Sequence, residues 1–269
     1  MEQYGIGGLS KCGMNSCKGP ELIDLQALKA SIYPEQKRQD DQTVHPFIYL
    51  VFRPISWKPT LVLHRWGVTP MACTFWSGVI LILGLLALGS AWPSPWWAWV
   101  LGGVLINVYL FLDVIDGNLA RLSGRSTKAG EFADCSLNAV SGALLPIAIG
   151  TGLYFSGGDV ASQTWGVPPM WLLVAGFSIA CLRLTRRVLT DHASQLVGNA
   201  GDRANVLGEQ RRGPKYWAAA VNSAAFPSVL PIAILAVPSL WLAFYLVFNA
   251  AVVGYSVVWA YRRVSAVDG

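Results

Sequence analysis

The stretch WWAWVLGGVLINVYLFLDVIDGNLAR, Trp96 to Arg121, decides the fold. From Trp96 to Leu112 it holds no Asp, Glu, Lys or Arg, and it then closes on Asp113 and Asp116. An apolar run of this kind suits the hydrocarbon core of a bilayer, which takes about 20 residues to cross as a helix. Carboxylates inside such a segment are costly, so two of them at one end call for a reason.

Working outward, the same charge-free character covers Trp66 to Leu112, Cys135 to Gly158, Val160 to Leu182 and Tyr216 to Tyr261. The first run breaks at Ser90–Ala91–Trp92–Pro93–Ser94–Pro95 and the last at Pro238–Ser239, where prolines and small residues favour turns. The expectation is an all-α polytopic membrane protein with six transmembrane helices, near 70–92, 95–121, 129–155, 166–190, 215–237 and 239–261. Composition agrees: 54% of residues are hydrophobic and 13% charged, a mixture foreign to soluble domains.

All twenty Lys and Arg fall before Trp66, in the 121–128 link, in 183–215, or at Arg262 and Arg263. With six spans these places share one side, which basic residues mark as cytoplasmic, along with both termini. The charge of +5 then reflects topology and anionic lipid rather than nucleic acid. Residues 1–45 read as a polar cytoplasmic tail with a short helix around Pro20–Ile32 and no apolar segment of a signal peptide. Residues 46–66 mix apolar positions with Arg53, Lys58, His64 and Arg65, the pattern of an interfacial amphipathic helix. A membrane domain follows over 67–263, then a cytoplasmic tail over 264–269. The polar stretch 190–214 reads as a cytoplasmic loop able to cap a site. Cys12 and Cys17 lack the second pair that a zinc site needs, and the chain's cysteines are expected to stay reduced.

Asp113 and Asp116 stand at i and i+3, on nearly one helix face, which Gly117 and Ala120 continue with small side chains. After Arg121 and eight further residues, Gly130, Asp134 and Asn138 recur every four residues on the next helix. Three carboxylates and an amide from adjacent antiparallel helices make a hard-oxygen site near the cytoplasmic surface, suited to Mg²⁺ or Mn²⁺. Small residues also serve helix packing, and both roles are compatible. Arg183, Arg186 and Arg187 admit two readings: topogenic charge, or an anion pocket.

The run Asp113-x-x-Asp116-Gly117-x-x-Ala120-Arg121, eight residues, Gly130-x-x-x-Asp134-x-x-x-Asn138 resembles the signature of the CDP-alcohol phosphotransferases at seven of eight fixed positions. Arg53–Pro54–Ile55–Ser56 and Gly67–Val68–Thr69–Pro70 are similar to that family's interfacial helix and entry to span one. The resemblance implies transfer of a substituted phosphoryl group from a CDP-linked donor to an alcohol, with release of CMP, by a membrane homodimer. Two metal ions on Asp113, Asp116 and Asp134 would hold the pyrophosphate, and Gly117, Ala120, Arg121 and Gly130 the CDP moiety. Lys128 and the three arginines would hold an anionic acceptor or lipid phosphate. Donor and acceptor stay open between CDP-diacylglycerol with a polar alcohol and a CDP-linked small alcohol with a lipid.

Two positions depart from the pattern. Met71 stands where many members carry Asn, and Asn138 where the family has the carboxylate assigned as base. An amide does not accept a proton at neutral pH, and Glu131, His64 and His192 are poorly placed to replace it. The alternative function is accordingly a catalytically silent relative that binds CDP-alcohol or lipid. A transporter would need charged or broken helices near the midplane, whereas this motif sits at one end.

Overall fold

The computed structural model describes residues 33, 35–44, 47–90, 96–124, 127–196, 221, 223–235 and 237–265, which contain helices and turns and no strand. Helix α1 spans Glu35–Val44. A π-helical turn at Ile48–Phe52 leads directly into α2, Arg53–Arg65. The others are α3 (Pro70–Gly89), α4 (Trp96–Ser123), α5 (Lys128–Phe155), α6 (Val160–Thr164), α7 (Pro169–Leu196), α8 (Val229–Ile234) and α9 (Pro238–Ser265).

Local chemistry starts these helices where the sequence changes character. Thr69, in extended conformation, accepts a hydrogen bond from the Ala72 amide at 3.2 Å, and Pro70 fills the first helical position, where no N–H is needed. Thr127 caps α5 in the same way through the Gly130 amide at 3.0 Å. At the opposite end of the bundle Asp159 joins two elements. Its Oδ1 accepts from the Ser162 amide at 2.9 Å, opening α6, and its Oδ2 from the Ser239 amide at 2.8 Å, in the first turn of α9.

Helix α4 packs on α3, α2 and α8, and α5 packs on α7 and α3, while α9 closes the bundle against α7. The core between them holds Leu81, Leu88, Ile106, Leu145, Ile149, Leu153, Ile179 and Leu242, all buried. The α5–α7 contact is a backbone approach: a Cβ on Gly176 would lie 2.5 Å from the Pro146 carbonyl oxygen, and one on Gly150 2.8 Å from that of Leu172. Such proximity maximises dispersion between membrane helices, which lack a hydrophobic drive to associate. The outward faces are apolar too, with Phe75, Trp76, Leu86, Phe244 and Val247 exposed. Exposed Trp96, Trp97, Trp165 and Trp171 gather at the end where α4 and α7 begin, as an aromatic belt does at a bilayer surface.

Among the described residues four helices are long and apolar enough to cross a membrane: Pro70–Gly89, Trp96–Ser123, Lys128–Phe155 and Pro238–Arg262. These match four of the six expected spans. The stretch expected to span at 166–190 overlaps α7, which is not among these four: it runs on to Leu196 and carries Arg183, Arg186 and Arg187 within its length. The span expected at 215–237 lies partly outside the described residues, and its described part is not one rod. A turn at 226–228 separates residues 223–225 from α8. Pro227 supplies no amide to continue a helix, and its carbonyl accepts from Asn107 Nδ2 at 3.4 Å. The helix expected around Pro20–Ile32 and the loop 197–214 lie outside the described residues. Helix α1 itself was not foreseen in the polar tail.

Candidate active site

Two helix ends and their neighbours enclose a cavity of about 400 Å³, lined by Asp113, Asp116, Gly117 and Arg121 of α4 and by Asp134 and Asn138 of α5. The i, i+3 and i, i+4 spacings of these residues put them on facing stripes of antiparallel helices. Asp116 is 7% exposed and accepts a hydrogen bond from the Thr74 hydroxyl of α3 at 2.7 Å. Asp113 is half-buried, with the Asp134 and Asp116 carboxyls as its neighbouring like charges. Carboxylates so placed repel unless a proton or a cation lies between them. Among the described residues no three Asp, Glu, His or Cys side chains form a closed ligand cluster, so the trio is a wall of hard oxygens rather than a finished cage.

Asn138 has a fixed orientation. Its Nδ2 donates to Asp134 Oδ1 at 2.8 Å, and the Tyr109 hydroxyl lies 3.2 Å from its Oδ1 and 3.2 Å from Ser141 Oγ. Tyr109 is wholly buried, so the amide rests on a rigid support at its inner side while it opens to solvent on the other.

A second cavity, about 300 Å³, is lined by Arg183, Arg186, Arg187 and Thr190 of α7 with Asn138 and Gly142 of α5. Asn138 and Arg183 border both spaces. Arg183 donates to the Tyr245 hydroxyl of α9, and its guanidinium stands 5.5 Å from the Tyr245 ring and 5.8 Å from Phe226. Stacking of Tyr245 on Trp241 at 4.6 Å stiffens that seat. Gly142 makes room for it, since a Cβ there would lie 2.7 Å from Arg183 Nη2. Arg187 donates to the Cys135 carbonyl at 3.4 Å.

At the other edge of the first cavity, Asn118 joins α2 to α4. Its Nδ2 donates to Ser56 Oγ at 3.1 Å and Thr60 Oγ1 at 3.3 Å, and its Oδ1 accepts from Arg53 Nη1 and Arg121 Nη2, each at 2.7 Å. Guanidinium only donates, so the amide orientation follows. Arg53 in turn binds Asp41 of α1 at 2.7 Å through Nε. The Tyr33 hydroxyl also reaches Asp41, and burial, then Asp41 itself, push its ionisation well above the ordinary tyrosine range.

Of the residues singled out in the sequence, Asp113, Asp116, Asp134, Gly117, Arg121 and Asn138 share the first cavity; Arg183, Arg186 and Arg187 share the second. Ala120, Gly130 and Lys128 line neither: Gly130 belongs to the capped first turn of α5, and Lys128 is exposed beside it. Tyr109, Tyr245, Thr74, Asn118 and Asp41 escaped the sequence reading. Asn118 occupies an unconstrained motif position, and the Ser56/Thr60 pair at i, i+4 was its only trace.

An all-helical bundle with apolar flanks and a carboxylate-lined cavity at its helix ends defines an integral membrane protein with a polar site beside the bilayer surface. The chain belongs to the CDP-alcohol phosphatidyltransferase family, whose model matches residues 67–261. A phosphatidylinositol phosphate synthase of Cutibacterium acnes is 31% identical over 145 residues, which cover 52% of this chain and 64% of that protein. One from Streptomyces avermitilis is 34% identical over 97 residues, 36% of each chain. The matches thus span less than two thirds of either relative.

Proposed function

We propose that the protein transfers a phosphatidyl group from CDP-diacylglycerol to the hydroxyl of an anionic alcohol and releases CMP, as a six-span enzyme whose site faces the cytoplasm. The carrying observation is the junction of two cavities at Asn138 and Arg183, one walled by carboxylates and the other by arginines. Three carboxylates suit the metal that a pyrophosphate needs, and three arginines suit an acceptor bearing its own phosphate. A phosphorylated inositol is such an acceptor, consistent with the name of the two relatives.

Asp113, Asp116 and Asp134 would hold Mg²⁺ or Mn²⁺, as a pair of ions. Bound there, the ions supply charge neutralisation on the pyrophosphate and its leaving group. Arg121 pairs with a donor phosphate, and Gly117 lets the nucleotide lie against α4. Arg183, Arg186 and Arg187 anchor the acceptor phosphate, so that its hydroxyl lies at the mouth between the cavities. Asn138 hydrogen-bonds that hydroxyl. The oxygen attacks phosphorus in line, the bond to CMP breaks, and the proton goes to Asp134, the carboxylate next to Asn138. Because Asp134 also serves the metal, the transfer is slow compared with one using a dedicated base.

The second reading, a silent relative that retains donor binding, draws on the settled hydrogen bonding of Asn138 between Tyr109 and Asp134. The deciding experiment measures CMP release from CDP-diacylglycerol by the purified protein in lipid nanodiscs with Mg²⁺ and inositol phosphate. Release above a sample lacking acceptor supports the enzyme. Calorimetric binding of CDP without any release supports the silent relative. Undiminished CDP affinity in excess chelator removes the metal assignment from both.

A further inference from the structure

Helix α1 and Tyr33 belong to the segment that precedes the family-matched residues 67–261, yet Asp41 of α1 lines the first cavity. Asp41 is 1% exposed, and its side chain borders that cavity together with Arg53. A carboxylate this deep needs a partner, and Arg53 supplies one at 2.7 Å, with side-chain exposures of 9% and 2%. Tyr33 completes the seat: its hydroxyl donates to Asp41 at 3.1 Å and its ring lies 4.6 Å from the Arg53 guanidinium.

The consequence is geometric. A guanidinium is planar, so fixing two of its nitrogens fixes the third. Arg53 uses Nε on Asp41 and Nη1 on Asn118, and among the described residues its Nη2 carries no hydrogen bond. Asn118 Oδ1 simultaneously receives Arg121 Nη2 at 2.7 Å. Two like charges therefore meet at one amide oxygen, an arrangement that repels unless anions flank it. Asp41 flanks it on the protein side. On the cavity side both Arg53 and Arg121 line the wall, a pairing that suits an anion with two adjacent charges, such as a diphosphate.

We infer that Arg53 binds the diphosphate of the nucleotide donor alongside Arg121, and that Asp41 is the positioning residue that holds Arg53 there, which makes α1 part of the nucleotide site. The inference deepens the donor assignment above and rests on it.

The test is calorimetric titration of the full-length protein in nanodiscs with CDP and Mg²⁺, paired with initial rates against CDP-diacylglycerol and inositol phosphate. Asp41→Asn and Arg53→Lys should each weaken CDP binding and raise donor KM about tenfold, while acceptor KM stays put. Asp41→Glu should recover most of the loss, and the double variant Asp41→Asn/Arg53→Lys should be no worse than Arg53→Lys alone. A fold defect would move both KM values together and escape rescue. Unchanged or tighter CDP binding by Asp41→Asn overturns the inference while leaving the donor assignment intact, tighter binding meaning that Asp41 masks Arg53. Wild-type protein that binds no CDP overturns both.

Discussion

At the scale of single residues, the site is defined as much by what supports each side chain as by the motif itself. Asn138 faces the cavity because Tyr109 and Asp134 occupy its two ends. A carboxylate at 138 would keep the Tyr109 hydrogen bond and lose the donor to Asp134, leaving a positioned base beside the acceptor. Asn138→Asp is expected to raise CMP release at least about tenfold, a lower bound beneath the 10² to 10⁴ that general-base catalysis typically supplies. Equal rates for the two forms, both brisk, would place the base elsewhere. Gly142 carries a second expectation, because its missing Cβ is where Arg183 Nη2 lies. Gly142→Ala should displace the guanidinium and raise acceptor KM about tenfold, about 1.4 kcal/mol, with donor KM unchanged. Motif residues were legible because their spacing repeats a helix face. Tyr109 and Tyr245 were not: one apolar-looking aromatic in a span looks like any other until its hydroxyl is placed.

At the scale of elements, polar joints tie helices that apolar packing alone would leave free to slide. Asn118 bonds α2 to α4 through two hydroxyls whose own protons go to backbone carbonyls, Ser56 to Arg53 and Thr60 to Ser56. All four hydrogen-bonding positions of the amide are used, which makes the joint directional. At the far end Asp159 caps α6 and tethers α9 with separate oxygens. Asp159→Ala removes both contacts and should lower thermal stability in detergent by about 1–3 kcal/mol; Asp159→Asn keeps one acceptor and should lose about half of that. An Asn variant as damaged as the Ala variant would mean that charge, rather than the two acceptors, holds the ends together. Helix boundaries were readable to within a few residues wherever Pro, Thr or Ser marked an N-terminus, as at Thr69–Pro70. Helix α1 was invisible, because its residues EQKRQDDQTV offer no apolar stripe and, among its described side chains, the buried one is Asp41.

At the scale of the whole molecule, hydropathy spoke clearly for the four helices that hold a long charge-free stretch and less so for the two that are arginine-bearing or broken. Helix α7 carries three arginines where its later turns wall the second cavity, so part of the helix is polar for a chemical reason. The segment from 223 to 235 bends at Pro227 for a steric one. Both exceptions fall on elements that border the site. The two ends of the bundle differ: carboxylates and arginines gather where α4 ends and α5 begins, whereas exposed Trp96, Trp97, Trp165 and Trp171 mark the opposite end. With six spans, the 121–128 link and the 190–214 loop face the cytoplasm and the α5–α7 connection faces outward. A cysteine at Gln163, an exposed position of α6, tests this in a variant with the natural cysteines replaced by serine. A membrane-impermeant maleimide should label it from outside intact cells and leave a cysteine at Lys128 untouched until the membrane is opened. Both positions are solvent-exposed, so accessibility within the protein does not distinguish them and the bilayer alone does. Labelling of Lys128→Cys, and not Gln163→Cys, in intact cells would invert the protein in its membrane and overturn the cytoplasmic placement proposed for the site.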